Sequence, residues 1–258
     1  ETTIQNESQN ASLFVIQKSK VFICTDTRYN DVDFPLMRLS DITETILINS
    51  TFVNCICPLT FLNFPKSVNI KLLVRKSNFS SCYCKFSGGS LSISLQNDLK
   101  KRGRTKKTRL NDTLGNVIGM LIEIKSAFFS NSHSDISGGA AAIVSSYFTS
   151  IGRIHKILSV SNSTFYNNTC HKQGGAVLIA GTNLVSIKHC TFMSNKATSG
   201  GSLAFYGPKY VICLNKKFLG TKIFGCEKNV LDYAGNQALI SDFDDMENSV
   251  DLISIITT

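Results

Sequence analysis

The chain has 258 residues, 43% hydrophobic and 17% charged, which excludes a disordered chain and leaves enough length to bury a core. No stretch approaches the ~18 consecutive apolar residues of a membrane helix. The net charge of +9 calls for an acidic partner class or a solvated basic segment, because 27 Lys and Arg face only 18 Asp and Glu.

Phe is frequent (17), Trp absent, Pro scarce (4), and Gly (17), Ser, Thr and Asn are common. That mix suits many short strands joined by turns. The chain opens at Glu1 rather than Met, as a mature chain or an excised fragment does. Residues 1–45 precede the first recognisable repeat and are assigned to N-terminal coils or a cap.

The first unit is STFVNCIC, Ser50 to Cys57, which lacks a Gly-Gly pair. KSNFSSCYCKFSGGSLSIS follows from Lys76 to Ser94, with Phe79, Cys82 and Gly88-Gly89. The next copy is KSAFFSNSHSDISGGAAAIV, Lys125 to Val144, with Asn131 and Gly138-Gly139. There Phe128 fits the spacing to Asn131 and Phe129 the spacing to Gly138, so the register is open by one residue. STFYNNTCHKQGGAVLIAG carries Phe165, Asn168 and Gly174-Gly175, and CTFMSNKATSGGSLAFYG carries Phe192, Asn195 and Gly200-Gly201. The tail around Ala234 to Ala238 reads as a degraded sixth unit within degenerate C-terminal coils or a cap, 206–258.

Gly88, Gly138, Gly174 and Gly200 lie 50, 36 and 26 residues apart. Those gaps fit a coil of roughly 25 residues with loop insertions of different length. A unit this short cannot bury its own apolar face, and stacking buries it. Successive coils of a parallel β-helix lie about 4.8 Å apart, so each position stacks on itself. The expected fold is therefore all-β, a right-handed single-stranded parallel β-helix forming one domain, 1–258, with the repeats over 46–205.

Each repeat feature then has a role. Phe79, Phe129, Phe165 and Phe192 form an interior aromatic ladder. Leu72/Val74, Ile122/Ile124, Leu158/Val160 and Val185/Ile187 sit at odd offsets before Phe and share its inward face. Asn131, Asn168 and Asn195 occupy a left-handed turn with stacked amides. Gly-Gly makes a corner where positive φ is needed.

Phe-x-x-Asn followed by Gly-Gly-Ala-[Val/Ile/Leu] resembles the repeat of the chlamydial polymorphic outer-membrane proteins and of surface-protein families in parasitic protists such as trichomonads. Phe165 to Ile179 matches closely, Phe192 to Phe205 has Ser for Ala, and the Gly88 unit has Cys82 for Asn. The likeness covers about Ile46 to Phe205. It implies a right-handed β-helix on a cell surface or secreted, associated with adhesion and host contact, with no shared catalytic residues; no cofactor is expected. The C-terminal barrel of the chlamydial proteins has no counterpart in this chain, which puts the mode of anchoring in doubt.

Nine cysteines, without paired C-x-x-C motifs, favour an oxidising compartment over a zinc ribbon. FVNCIC and FSSCYC are 27 residues apart, which stacks Cys55 on Cys82 and Cys57 on Cys84. A coil spacing near 4.8 Å lies within disulfide range, so at least one pair is expected to be bridged, against a reading as small buried residues. Seven N-x-[ST] sequons occur, at Asn6, Asn10, Asn49, Asn78, Asn111, Asn162 and Asn167. Asn49, Asn78 and Asn162 sit at offsets from Phe that point outward, where glycans are tolerated.

KKRGRTKKTR places Lys100, Lys101, Arg102, Arg104, Lys106, Lys107 and Arg109 within an insertion, 97–116. It reads as a solvated loop or as a clamp for acidic glycans. No aromatic interleaves, so nucleic acid is not an expected partner.

No metal site is expected. Cys170-His171 and His189-Cys190 are adjacent residues of a strand and point to opposite faces. Asp242, Asp244 and Asp245 lack the Gly and terminal Glu of a calcium loop. Many β-helices cleave acidic polysaccharides, but the acids within the repeats (Asp98, Asp112, Glu123, Asp135) form no repeating face. The expected function is a non-catalytic adhesion or partner-interaction module, with a polysaccharide lyase or hydrolase and a structural or decoy spacer as alternatives. Its partner would be a cell-surface protein or an acidic glycan.

Overall fold

The computed structural model describes residues 12–40, 42–63, 69–95, 119–145, 155–180, 184–206, 214–219, 222–224, 231–234, 238–241 and 253–256. Among these residues every strand pairing is parallel, and the strands stack into sheets of eight, seven, nine and three strands. This is a parallel β-helix.

One coil shows how the sequence builds it. Gly119–Lys125 lies in the eight-stranded sheet, here sheet one. Ser126 takes φ 54° and turns the chain into Phe128–Ser130 of the seven-stranded sheet two. Asn131, φ 52°, turns it again into the short strand His133–Ser134. The Gly138-Gly139 corner then leads into Ala141–Ser145 of the nine-stranded sheet three. The next coil re-enters sheet one at His155–Ser161. The variable connections lie between sheet three and sheet one, as from Leu95 to Gly119 and from Ala180 to Leu184. The Gly-Gly spacing varies mainly for that reason; within the coils the register holds from Phe79 through Phe165 and shortens by one residue before Gly200, where Thr169 pairs with Lys196 but Gln173 with Ser199.

The core is a set of stacked rows. Tyr29, Phe52, Phe79, Phe129, Phe165 and Phe192 form the aromatic row, and neighbouring rings lie 4.7–5.5 Å apart at 1–15°. Such pairs contribute ~0.5–1.5 kcal/mol each beyond burial. The register resolves the Phe128-Phe129 ambiguity: Phe129 pairs with Phe79 and Phe165 and is fully buried, while Phe128 faces outward. The row also reaches one coil earlier than the repeat motif, to Tyr29. Leu72, Ile122, Leu158 and Val185 stack in sheet one beside Val74, Ile124, Val160 and Ile187, all buried.

The asparagine positions need a correction. Asn131 pairs in register with Asn167, not Asn168, because Phe129 sits on Phe165. Asn54, Ser81, Asn131, Asn167 and Ser194 hold the left-handed turn, with φ of 51–55°. Asn131 and Asn167 are exposed there, joined by Asn167 Nδ2 donating to Asn131 Oδ1 at 2.8 Å. Asn168 and Asn195 come one residue later and point inward, fully buried. Their row is Cys55, Cys82, Ser132, Asn168 and Asn195. Asn168 Nδ2 donates to Asn195 Oδ1 at 3.0 Å and to the Phe129 carbonyl at 3.1 Å. Asn195 Nδ2 donates to the Phe165 carbonyl at 3.0 Å. The amides therefore satisfy polar groups that the turn leaves inside the core.

The Gly-Gly corner divides its work between two residues. Gly88, Gly138, Gly174 and Gly200 have φ of 59–81°, the left-handed region. Gly89, Gly139 and Gly175 do not share that conformation. A side chain on Gly175 would strike the carbonyl of Gly201 in the next coil, and one on Gly139 would strike that of Gly175. The first glycine is needed for the bend and for the close carbonyl three residues on, the second for the close approach of stacked backbones.

Candidate functional site

Because the repeated Phe, Asn and Gly residues are absorbed by the scaffold, any site must lie in what the coils present outward. The seven basic residues from Lys100 to Arg109 fall outside the described residues, as do Asn6, Asn10, Asn111 and Asp242, Asp244 and Asp245. Asn49, Asn162 and Asn167 are exposed at left-handed turns. Asn78 is only half-exposed, and its Oδ1 is buried without a hydrogen-bond partner, so it is less open to modification than its offset implies.

Cys57 and Cys84 are joined by a disulfide across a Cα separation of 4.7 Å. Cys55 and Cys82 stack one coil apart but remain thiols. Cys82 Sγ contacts the Phe52 carbonyl at 3.6 Å and Cys55 Sγ the Tyr29 carbonyl at 3.5 Å, in the inward row that Asn168 and Asn195 occupy further on. Burial pushes the Cys82 thiol up to about 12 and those of Cys170 and Cys190 to about 11. These thiols are inert packing groups, not nucleophiles.

One cluster of chemically capable side chains stands out on the exterior, on the short three-stranded sheet. His133 pairs with Thr169, Ser134 with Cys170, and Ser137 with Gln173. This constant register of 36 residues places Asp135 over His171. His133 and Asp135 alternate on the outward face of their segment. His133, Asp135 and His171 each offer a ligand atom, and these atoms all lie within 4.8 Å of one another.

The cluster is held from behind. His133 Nδ1 and Thr169 Oγ1 share a hydrogen bond of 2.7 Å, which turns Nε2 toward Asp135 Oδ1 at 3.4 Å. The Tyr83 hydroxyl donates to Asp135 Oδ2 at 2.7 Å and leaves Oδ1 facing the histidine. That hydrogen bond holds the Tyr83 hydroxyl above its ordinary pKa. The Tyr83 ring stacks on His133 at 5.9 Å, and His171 meets His133 edge-on at 5.2 Å. The Thr198 hydroxyl donates to the His171 carbonyl and fixes its backbone. An open groove beside the cluster is lined by His133, Thr169, Cys170, His171, Lys196, Ala197 and Thr198.

Sequence reasoning weighed His171 and Asp135 separately and passed over His133. The dipeptide argument holds, since Cys170 turns inward while His171 points out. The partner of His171 comes from the preceding coil. The signal was the Phe129-to-Phe165 interval of 36 residues, which carries Asp135 onto His171.

The same side of the solenoid exposes large apolar groups. On sheet two, Phe128 is 41% exposed, Tyr166 41% and Met193 37%. On the segment leading to the Gly-Gly corner, Tyr83 is 37%, Phe86 63% and Ile136 36% exposed. Tyr166 pairs with Met193, and the 50-residue register that joins Cys84 to Ser134 carries Phe86 onto Ile136. Sheet one presents ion pairs outward, Lys71–Glu44 at 2.7 Å and Arg75–Glu123 at 2.8 Å, and among the described residues exposes Val21 (46%) and Ile23 (59%) only on its first strand, Val21–Thr25. No protein-family model matches the chain, and no curated protein or solved structure matches it at a significant level.

Proposed function

We propose that the chain is a non-catalytic β-helix module, surface-exposed or secreted, that binds a cell-surface protein or acidic glycan through the outer side of sheet two and the adjoining turn. The observation that carries this is the set Tyr83, Phe86, Phe128, Ile136, Tyr166 and Met193. The solenoid buries its alternate, inward positions and makes no demand for large apolar groups at the outward ones. Grouped exposed apolar side chains on a soluble surface mark interaction sites, and aromatic groups with two rotatable bonds bind at low entropic cost.

Two further features support the reading. The Phe-x-x-Asn and Gly-Gly-Ala repeat resembles that of chlamydial and protist surface proteins, in which the right-handed β-helix is associated with adhesion. The disulfide between Cys57 and Cys84 and the exposed sequons at Asn49, Asn162 and Asn167 suit an oxidising, extracellular setting. The basic insertion adds an electrostatic contact for acidic glycans, which speeds encounter and weakens with salt.

The test is a saturation titration of fluorescently labelled protein on cultured cells, before and after heparinase treatment, with released sugars sized in parallel. Saturable binding with no fragment release is the expected result. Progressive release of oligosaccharides would replace the adhesion reading with a polysaccharide-cleaving enzyme. Absence of saturable binding would leave the outward apolar groups without the proposed role.

A further inference from the structure

We propose that His133, Asp135 and His171 form a site for a divalent transition-metal ion of the zinc class, open on its outer side to a further ligand. The ligand set is two imidazoles and one carboxylate, a combination suited to such ions and unlike the all-oxygen cages of calcium or magnesium.

The geometry is close to what binding needs. A tetrahedral ion with bonds of about 2.0–2.1 Å keeps its ligand atoms roughly 3.4 Å apart. His133 Nε2 and Asp135 Oδ1 already lie 3.4 Å apart. His171 is exposed, so its ring is free to rotate inward from within 4.8 Å. Its backbone is meanwhile held by Thr198.

The supporting contacts point the same way. A metal-bound histidine ordinarily holds its second nitrogen in a hydrogen bond, and a ligating carboxylate is itself hydrogen-bonded. Thr169 Oγ1 takes that place at His133 Nδ1, and the Tyr83 hydroxyl takes it at Asp135 Oδ2. Both contacts occupy the atoms that binding does not use. The ligands come from two successive coils, with Tyr83 from the coil before, so an ion here would clip three coils together. The groove toward Lys196 and Thr198 gives access for the ion and room for a fourth ligand such as water or an acidic group of a partner.

A rival account of the same contacts is an ion pair between protonated His133 and Asp135, with no ion bound. Isothermal titration of the intact chain with zinc chloride at pH 7.5 separates the two, followed by imidazole NMR of the histidines. The expected result is one ion per chain, with perturbed His133 and His171 resonances and affinity that weakens in acid, as for any imidazole-ligated ion. His133→Ala and His171→Gln should each weaken binding at least tenfold with an unchanged circular dichroism spectrum. Tyr83→Phe, which removes only the supporting hydroxyl, should weaken it roughly 10–100-fold. Binding that persists in the doubly substituted His133→Ala, His171→Gln chain would place the ion elsewhere and overturn the proposal. No measurable binding to the unsubstituted chain would do the same and leave the ion pair.

Discussion

Asn168 lies directly over Asn195 inside the solenoid, its Nδ2 donating to Asn195 Oδ1 at 3.0 Å while its own Oδ1 accepts the Ser132 backbone N–H at 3.1 Å. One buried amide thus serves the coils on both sides. Asn168→Ala should destabilise by about 2–3 kcal/mol, because the Ser132 N–H loses its acceptor and the Phe129 carbonyl its side-chain donor. Asn131→Ala, at the exposed turn position, should cost well under half as much. Urea denaturation of the two variants checks the assignment of inward and outward asparagines.

The two glycines of one corner should fail for different reasons. Gly174→Ala forces a Cβ into φ 70° and toward the Val177 carbonyl. Gly175→Ala keeps an ordinary backbone conformation but drives a methyl group into the Gly201 carbonyl of the next coil. Both should destabilise by about 2–3 kcal/mol or more. Asn tolerates the left-handed region, but at position 174 it carries the same Cβ against the Val177 carbonyl, so neither Gly174→Asn nor Gly175→Asn should recover the loss. Thermal melts of the four variants give the comparison.

The Cys57–Cys84 disulfide closes a loop with a sequence separation of 27. Its chain-entropy contribution is about 3–4 kcal/mol. Reduction, or Cys57→Ala with Cys84→Ala, should lower stability by roughly 2–4 kcal/mol. Peptide mapping without reduction should recover Cys57 linked to Cys84, with Cys55 and Cys82 alkylated only after unfolding.

The buried thiols make stability fall at high pH. Cys82 is held at about 12, and Cys170 and Cys190 at about 11, against an ordinary value of 9.0, with burial the leading cause. Above that ordinary value the unfolded chain releases these protons while the folded chain keeps them. The folded state then binds more protons than the unfolded one, and stability declines as pH rises. Denaturant midpoints should hold steady below about pH 8 and decline from about pH 9 to pH 11. Cys82→Ala should flatten part of that decline, although it also lowers stability throughout by opening a small cavity.

The scaffold was legible in the sequence because its residues repeat. Phe79, Phe165 and Phe192 recur at nearly constant distance from a Gly-Gly pair, and only a stacked coil makes the same demand at each copy. The asparagines were misread by one position because Phe128-Phe129 offers two registers, and only strand pairing selects Phe129. The choice of Cys57–Cys84 over Cys55–Cys82 was hidden for a related reason. Both pairs share the same spacing, and the direction of each Sγ depends on the carbonyls of Tyr29 and Phe52 inside the core. The His133, Asp135 and His171 group depends on one coil being 36 residues long. That length is carried by the Phe129-to-Phe165 interval, but only once strand pairing selects Phe129 over Phe128. The exposed Tyr166 and Met193 were illegible because an apolar residue in an alternating strand reads as core until its phase is fixed, and Phe86 because it lies in a bend outside any strand.

The central claim is that binding resides on the outer side of sheet two and the adjoining turn, outside the repeat. Its most direct measurement is the cell-surface affinity of a Phe86→Ser, Tyr166→Ser, Met193→Ser chain against the unsubstituted one, with circular dichroism and melting temperature showing the coil intact. These side chains are exposed, so the fold should survive with its melting temperature nearly unchanged. The account predicts a loss of affinity of at least tenfold. An affinity equal to that of the unsubstituted chain would contradict it.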